Sequence, residues 1–378
     1  MISKAAKKNW DIFNSKFILQ EKRFIWLDYD KGISIILVAY GHSYFTLTDH
    51  GLNTSAFPLI NYIGTFLWGF RMPLFFIVSG TLLSNSLRKR GLGAYLINRS
   101  NNILYPLLIW GTVGIALSFV KSRDVHEAVQ TFVKLFISPR ELGPLWYLNA
   151  LFFIGAIYSL LKAKAKINSY LQLAIGAVFF IIAGYITVNN INMGMLTDVL
   201  EYYFFFALGD NILKLFFDPE YVKRLTSWKI FFPLFAVFLL VQYLCCQYNL
   251  NGGDDGINFV QHKMPWLYMV ESLIGCAVSI SFSFLLQKYR WFKFLRIVGY
   301  HSLFIYIMQI ITMNAVRAIL VNALHITYVP ALFMAVWFLG VFIPILVYNI
   351  CLKINAWWLF TFKKPRQHYE FVQQAELQ

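Results

Sequence analysis

The stretch RFIWLDYDKGISIILVAYGHSYF, residues 23–45, decides the fold of this chain. Its apolar part extends over residues 32–47. The length of this run is close to that of a bilayer-crossing helix, which needs about 20 apolar residues. Lys31 stands at the start of that apolar part and His42 lies near its far end. The stretch therefore predicts a membrane helix with a charged beginning and a histidine deep inside it.

The composition of the whole chain is typical of a polytopic membrane protein. Of its 378 residues, 58% are hydrophobic and only 13% are charged, which excludes a water-soluble globule and a disordered chain. Apolar runs predict ten spans, at 32–47, 59–84, 102–120, 145–161, 170–188, 198–216, 230–248, 265–286, 298–320 and 328–352. The runs are continuous, so we expect an all-α integral membrane protein rather than a barrel. Pro73 predicts a kink or re-entrant piece in the second run.

The basic residues indicate how the spans are oriented. With these spans, and with Lys214 counted at the inner end of the sixth, 26 of the 33 Lys and Arg fall on one side. The positive-inside rule makes that side the cytoplasm for both termini. We therefore predict a cytoplasmic segment 1–31, a membrane domain 32–352 and a cytoplasmic tail 353–378, in a multi-pass protein of the cytoplasmic membrane. The net charge of +15 is then mainly an orientation signal, and no nucleic-acid partner is needed to explain it.

Two polar residues lie deep in the first two predicted spans, where ionisable groups are costly and usually functional. Lys31 and His42 are eleven residues apart, which is three turns plus about 20°, so they share one helical face, and Asp28 lies near the same stripe. The alternative to a functional role for Lys31 is that of a lysine at the membrane interface whose side chain snorkels toward water. A second reading of His42 is a hydrogen bond between helices.

Arg71 occupies the second span, FLWGFRMPLFFIVSGTLL, residues 66–83, at a depth close to that of His42. A guanidinium stays charged, so Arg71 must face an anion, a carbonyl or a water-filled cavity. The two residues together predict one buried polar site. The alternative is that Arg71 pairs with Glu201 or Glu271 as a structural contact.

Four motifs in this order resemble the acyltransferase family 3 membrane proteins, particularly their fucose 4-O-acetylase-like branch. They are WLDYDKGISIILVAYGHS, FRMPLFFIVSG, NRSNNILYPLLIW and GPLWYLNALFF, with a weaker match at VGYHSLFIYIMQ. The resemblance implies a cytoplasmic acyl donor, usually acetyl-CoA, and an acceptor hydroxyl at the outer face. The family's basic residue and histidine with ten residues between them fall on Lys31 and His42. Arg71 stands where this branch often has histidine, and Gln309 where the family pattern ends in histidine.

O-acylation needs a base for the acceptor hydroxyl and a cation or donor for the thioester oxyanion. We accordingly predict His42 as the general base, because imidazole titrates near neutral pH, and Arg71 as the electrostatic stabiliser. Lys31, Arg99 and Asp28 are the candidates for binding acyl-CoA, although Arg99 also fits the positive-inside pattern.

The acceptor is expected on the outer side of the membrane. Trp146 and Tyr147 could stack on a glycan there, or belong to the aromatic belt. Glu201 and Glu271 are further acceptor-binding candidates, or charges at helix ends. Cysteine spacing does not match a metal site, so no metal is expected.

The leading hypothesis is a membrane O-acyltransferase, surrounded by membrane lipid, that moves an acetyl group from acetyl-CoA to a carbohydrate hydroxyl. One rival hypothesis is a secondary transporter or exporter with a buried His/Arg site. Another is an acyl-CoA-dependent enzyme that modifies a lipid or peptide.

Overall fold

The computed structural model describes Phe13 and residues 15–20, 24–252 and 259–363. Within these residues the chain forms helices joined by turns and contains no β-strand, as the continuous apolar runs predict. Most of the predicted N-terminal segment and of the predicted C-terminal tail lies outside the described residues.

The helices of the described part differ widely in length. They are α1 (Ser15–Gln20), α2 (Ile25–Thr48), α3 (Pro58–Phe66), α4 (Arg71–Thr81), α5 (Leu83–Arg99), α6 (Tyr105–Ser122), α7 (Val125–Ile137), α8 (Trp146–Ala163), α9 (Ser169–Val188), α10 (Met195–Ile212), α11 (Pro219–Leu225), α12 (Trp228–Asn251), α13 (Val260–Lys263), α14 (Pro265–Tyr289), α15 (Phe294–Tyr300), α16 (Ser302–Ala318) and α17 (Val329–Lys353). Short 3₁₀ turns lie at Thr54–Ala56, Pro139–Leu142, Leu215–Phe217 and Trp357–Leu359, and π-helical turns at Ser100–Leu104 and Ile319–Ala323.

Eight helical segments of the described residues are long and apolar enough to cross a membrane. They are Pro58–Thr81, Leu83–Val120, Trp146–Ala163, Ser169–Val188, Trp228–Asn251, Pro265–Tyr289, Ser302–Ala323 and Val329–Lys353. The other two of the ten predicted spans fall on α2 and α10, which also form helices but carry more charged and polar residues.

The second predicted span is interrupted by a break shortly before Pro73, near the position where the sequence predicts an irregularity. Helix α3 ends at Phe66, residues 67–70 form turns, and α4 begins at Arg71. Pro73 is the third residue of α4, where the missing N–H costs little because first-turn N–H groups have no partner within the helix. The break gives Arg71 the first position of a helix inside the protein.

Helices α2 and α10 form the centre of the packing. Helix α2 contacts α4, α14, α15, α16 and α17, and α10 contacts α4, α8 and α9. Glycines allow α4 and α10 to approach closely, since a Cβ on Gly80 would lie 2.0 Å from the carbonyl oxygen of Phe206. A Cβ on Gly209 would lie 2.0 Å from that of Ile77. Such close approach through small residues is typical of packing between membrane helices.

Candidate active site

A cavity of about 130 Å³ lies between α2, the break before α4, the Pro139–Leu142 turn, α10 and α14. Three basic and six aromatic side chains line it. The full lining consists of Val38, Gly41, His42, Phe45, Trp68, Arg71, Met72, Arg140, Trp146, Tyr202, Gln261, Tyr268 and Tyr306. The cavity therefore brings the predicted pair His42 and Arg71 to one place.

His42 reaches the cavity from the C-terminal half of α2, half-buried, eleven residues beyond Lys31. Within the part of the chain that the structure describes, its imidazole forms no hydrogen bond to protein. The ring nitrogens are therefore available to a group in the cavity. Such availability is what a general base needs, because it must contact the proton that it removes.

Arg71 is held against α2 with part of its guanidinium exposed to the same cavity. Nη1 donates a 3.0 Å hydrogen bond to the carbonyl oxygen of Leu37, and Cζ lies 4.6 Å from the centre of the Trp68 ring. Gly41 permits this approach, since a Cβ there would lie 2.4 Å from Nη1. No carboxylate of the described residues pairs with Arg71, so the alternative pairing with Glu201 or Glu271 is not formed.

Helix α14 holds the backbone of the break that presents Arg71. The Ser272 hydroxyl donates a 2.7 Å hydrogen bond to the carbonyl oxygen of Gly69, and Cys276 Sγ lies 3.8 Å from that of Phe70. The Glu271 carboxylate lies so close to Gly69 that a Cβ there would be 2.1 Å from Oε1. Glu271 is 1% exposed and does not line the cavity, so its contacts are with the break rather than with the cavity.

Arg140 lines the cavity from the Pro139–Leu142 turn. Its Nε donates to the Asp198 carboxylate, its Nη2 lies 3.7 Å from Oε2 of Glu201, and its Cζ lies 4.3 Å from the Trp146 ring. Glu201 also accepts a 2.8 Å hydrogen bond from Gln261. Two carboxylates of α10 thus anchor a guanidinium that remains 42% exposed.

The predicted acceptor-binding residues separate into two groups. Trp146 lines the cavity, whereas Tyr147 is buried behind it, with its hydroxyl 3.4 Å from that of Ser79. Glu201 reaches the cavity indirectly, through Arg140 and Gln261. Nearby, a hydrogen bond from Lys134 holds the pKa of the Glu141 carboxyl below its usual range, in an exposed 2.8 Å ion pair.

The predicted donor-binding residues do not line this cavity. Lys31 is half-buried on α2, about 16 Å along the helix from His42. Asp28 lies 4.0 Å from Nη2 of Arg296, which ties the start of α2 to α15. Arg99 is buried, and its guanidinium donates to the Tyr95 hydroxyl at 3.0 Å and to backbone carbonyls of α8.

Several lining residues escaped the sequence analysis for identifiable reasons. Arg140 looked like an outer-loop residue, and Gln261 carries no charge to attract attention. Tyr202, Tyr268 and Tyr306 were hidden because aromatic residues make up 19% of the chain. In the described ranges, no group of three or more His, Cys, Asp or Glu side chains is arranged to hold a metal ion.

The arrangement places an imidazole, two guanidinium groups and several aromatic rings around one cavity. Such groups can accept a proton, offset negative charge and contact a ligand. A sequence profile described as an acyltransferase domain, of the acyltransferase 3 family, matches residues 24–352. The chain belongs to this family of membrane-bound acyltransferases, and it is an enzyme that requires an acyl donor and a hydroxyl acceptor.

Two curated relatives share the family's sequence features. The nodulation protein NolL of Mesorhizobium japonicum is 25% identical over 300 residues, which are 76% of this chain and 76% of that protein. The nodulation protein NolL of Sinorhizobium fredii is 29% identical over 191 residues, which are 50% of this chain and 48% of that protein. No solved structure matches the chain significantly.

Proposed function

We propose that this acyltransferase moves an acetyl group from cytoplasmic acetyl-CoA to a carbohydrate hydroxyl at the outer side of the cytoplasmic membrane. The supporting observation is that His42, Arg71 and Arg140 line one cavity with six aromatic side chains. Family membership favours this function over a transporter, because the family consists of acyltransferases. We propose ten spans, with α2 and α10 added to the eight apolar segments and both termini cytoplasmic.

His42 acts as the base in this proposal. Its imidazole takes the proton from the acceptor hydroxyl while the hydroxyl oxygen attacks the thioester carbonyl carbon. A tetrahedral intermediate with a negatively charged oxygen results. When it collapses, the carbon–sulfur bond breaks, the new ester remains on the acceptor, and the thiolate of CoA takes the proton from the imidazolium.

Arg71 stabilises the oxyanion of that intermediate. Its charge is permanent, and the bond to the Leu37 carbonyl, the Trp68 ring and Gly41 hold it in place before the reaction. Such preorganised charge contributes more in a cavity that excludes water than it does in bulk solvent. No carboxylate of the described residues neutralises it, which leaves its charge for the substrate.

The acceptor enters from the side of Arg140 and Trp146. Trp146 lines the cavity beside Tyr202, with the two rings 5.4 Å apart, and offers a face for a sugar ring. Arg140, whose side chain remains 42% exposed, supplies hydrogen-bond donors for its hydroxyls. The donor enters from the opposite end of α2, where Lys31 begins the stripe that leads to His42. Lys31, Asp28 and Arg99 keep their proposed donor role. Tyr147, Glu201 and Glu271 keep a proposed acceptor role as residues behind the cavity lining, which support the side chains that touch the acceptor.

The test uses inside-out membrane vesicles supplied with radiolabelled acetyl-CoA. We expect label in the polysaccharide fraction that mild base releases, as an ester requires. In His42→Ala we expect this label to fall by a factor of about 100 or more, since general-base catalysis contributes roughly 10²–10⁴-fold.

His50→Ala is the matched control, because His50 lies eight residues further along and is exposed. It should transfer label normally. Normal base-labile labelling by well-expressed His42→Ala would refute the base assignment. Base-labile label in the lipid or peptide fraction instead of polysaccharide would refute the carbohydrate acceptor.

A further inference from the structure

A second and larger cavity, of about 670 Å³, lies where α5, α8, α9 and α10 meet. It shares no lining residue with the cavity at His42. Four basic side chains line it, and they come from separate parts of the chain: Arg88 of α5, Lys162 of α8, Lys166 of the α8–α9 turn, and Lys214 after α10. The cavity is therefore strongly basic.

One of these four charges is neutralised within the protein. Lys162 Nζ donates to the Asp210 carboxylate of α10, and also to the Ser169 hydroxyl at 2.7 Å. Asp210 accepts further hydrogen bonds from Ser84 and Tyr158. This partly buried network joins α5, α8, α9 and α10, so it gives the cavity a defined wall.

The other three charges have no such partner. In the described part of the chain, no carboxylate oxygen lies within 4.0 Å of the side-chain nitrogens of Arg88, Lys166 or Lys214. Arg88 donates a 3.5 Å hydrogen bond to the Asn85 amide oxygen, and Lys214 Nζ lies 5.7 Å from the Tyr170 ring. Like charges in one concave surface repel one another, and a bound anion removes that repulsion.

The positive-inside pattern does not require this convergence. It is satisfied by basic residues anywhere in the cytoplasmic loops, pointing in any direction. Here the basic residues lie in three segments separated by 48 to 74 positions of sequence, yet they line one concave surface. The hydroxyls of Ser84 and Ser169 donate to the Asp210 carboxylate, so the basic side chains are the groups left for a ligand. Lysine and arginine side chains are common partners of phosphate oxygens.

We propose that this cavity binds the phosphate group of an anionic ligand. Two sources carry this chemistry at the proposed cytoplasmic side: the phosphates of a CoA-type acyl donor, and the headgroup of an anionic phospholipid. The donor source rests on the proposed function, whereas the lipid source is independent of it. The experiment that tests this site measures binding alone, so its result does not depend on acyl transfer.

The experiment measures the affinity of the purified full-length protein in neutral detergent. The probes are CoA, its phosphate-free fragment pantetheine, and a soluble short-chain phosphatidylglycerol. We expect Lys166→Gln combined with Lys214→Gln to weaken binding of CoA or of phosphatidylglycerol by roughly ten-fold or more, because charge-assisted hydrogen bonds are lost. Pantetheine binding should not change. The probe that loses affinity identifies the source of the phosphate.

The matched control removes two charges outside the cavity, by combining Arg90→Gln with Lys164→Gln. Both residues are exposed neighbours that do not line it. This control should bind within about two-fold of the wild type. Arg88→Gln removes a charge from a separate wall of the cavity. It should weaken binding of the same probe, and it supplies the test if the Lys166→Gln, Lys214→Gln variant does not fold.

Equal losses in the cavity variants and the control would overturn the proposal, as would wild-type affinity of the cavity variants for both phosphate probes. His42→Ala should keep wild-type affinity for the phosphate probes. Failure of the catalytic assignment is therefore distinguishable from failure of this site.

Discussion

Replacing Gly41 by alanine tests whether the position of Arg71 matters for catalysis. The two residues face each other across α2 and α4, and the Arg71 guanidinium packs directly over the glycine. The added Cβ would lie 2.4 Å from Nη1, whereas ordinary van der Waals contact begins at 3.4 Å. The guanidinium must therefore retreat by about 1 Å, which disturbs the 3.0 Å hydrogen bond to the Leu37 carbonyl.

A displacement of this size reduces the rate by roughly 100-fold when the displaced group acts on the transition state. That factor corresponds to about 2.7 kcal/mol of activation free energy. Folding should suffer much less, because the atoms that move are the end of a flexible side chain. We therefore expect Gly41→Ala to lower kcat while the protein stays folded.

The assay is the initial rate of base-labile acetyl transfer by purified protein in vesicles, with thermal unfolding measured in parallel. Gly114→Ala is the control, because a Cβ on Gly114 of α6 meets no atom within 4 Å. It should transfer normally and stabilise its helix by about 1 kcal/mol. Arg71→Lys supplies the other side of a double-mutant cycle, in which adding Gly41→Ala should cost little further activity.

A wild-type kcat in folded Gly41→Ala protein would refute the reasoning, because it would mean that the guanidinium does not act at the reacting atoms. Full additivity of Gly41→Ala and Arg71→Lys would contradict it as well.

Arg140→Gln should lower acyl transfer to the acceptor and thermal stability, because two acids of α10 lose their guanidinium partner. The loss of unfolding free energy should be smaller than the roughly 3–5 kcal/mol of a fully buried pair, since the Arg140 side chain is 42% exposed. Lys134→Gln breaks an exposed ion pair and should leave the thermal unfolding temperature essentially unchanged, because exposed ion pairs contribute little to stability. Trp146→Ala should raise the acceptor KM by roughly 2- to 10-fold through lost ring stacking, measured by varying acceptor concentration. Gly80→Ala should destabilise the protein by about 1–3 kcal/mol, measured by thermal unfolding, since its Cβ would meet the backbone oxygen of Phe206 at 2.0 Å.

Two further substitutions serve as controls. Gly93→Ala places a Cβ where no atom lies within 4 Å and should leave stability intact. Trp291→Ala removes a 49% exposed tryptophan and should leave the acceptor KM unchanged. An acceptor KM that rises equally in Trp291→Ala and Trp146→Ala would contradict a specific stacking role.

The first helix and the break in the second span were readable from local sequence. Lys31 and His42 lie on one helix, as their spacing predicts. The irregularity near Pro73 occurs, and it occurs ahead of the proline because proline fits the first turn of a helix. Both are properties of neighbouring residues, so composition and spacing were sufficient to predict them.

The other half of the cavity was not readable in this way. Arg140 contacts Asp198, 58 positions further along the chain, and Gln261 contacts Glu201, 60 positions away. These contacts depend on how whole helices pack against one another. The same packing places Glu271 against Gly69 instead of in the cavity. The presence of a charged residue in an apolar run could not reveal this position.

The sequence by itself determined that the chain forms apolar helices, that basic residues concentrate between particular helices, and that His42 and Arg71 interrupt the apolar pattern. These are local consequences of the bilayer, because backbone groups without water must bond within their own helix. Only the tertiary structure decided which side chains meet His42 and Arg71, and that Arg88, Lys166 and Lys214 meet in a second cavity. The reason is that side-chain packing between helices depends on close fit, such as Gly41 under Arg71, and not on hydrophobicity alone.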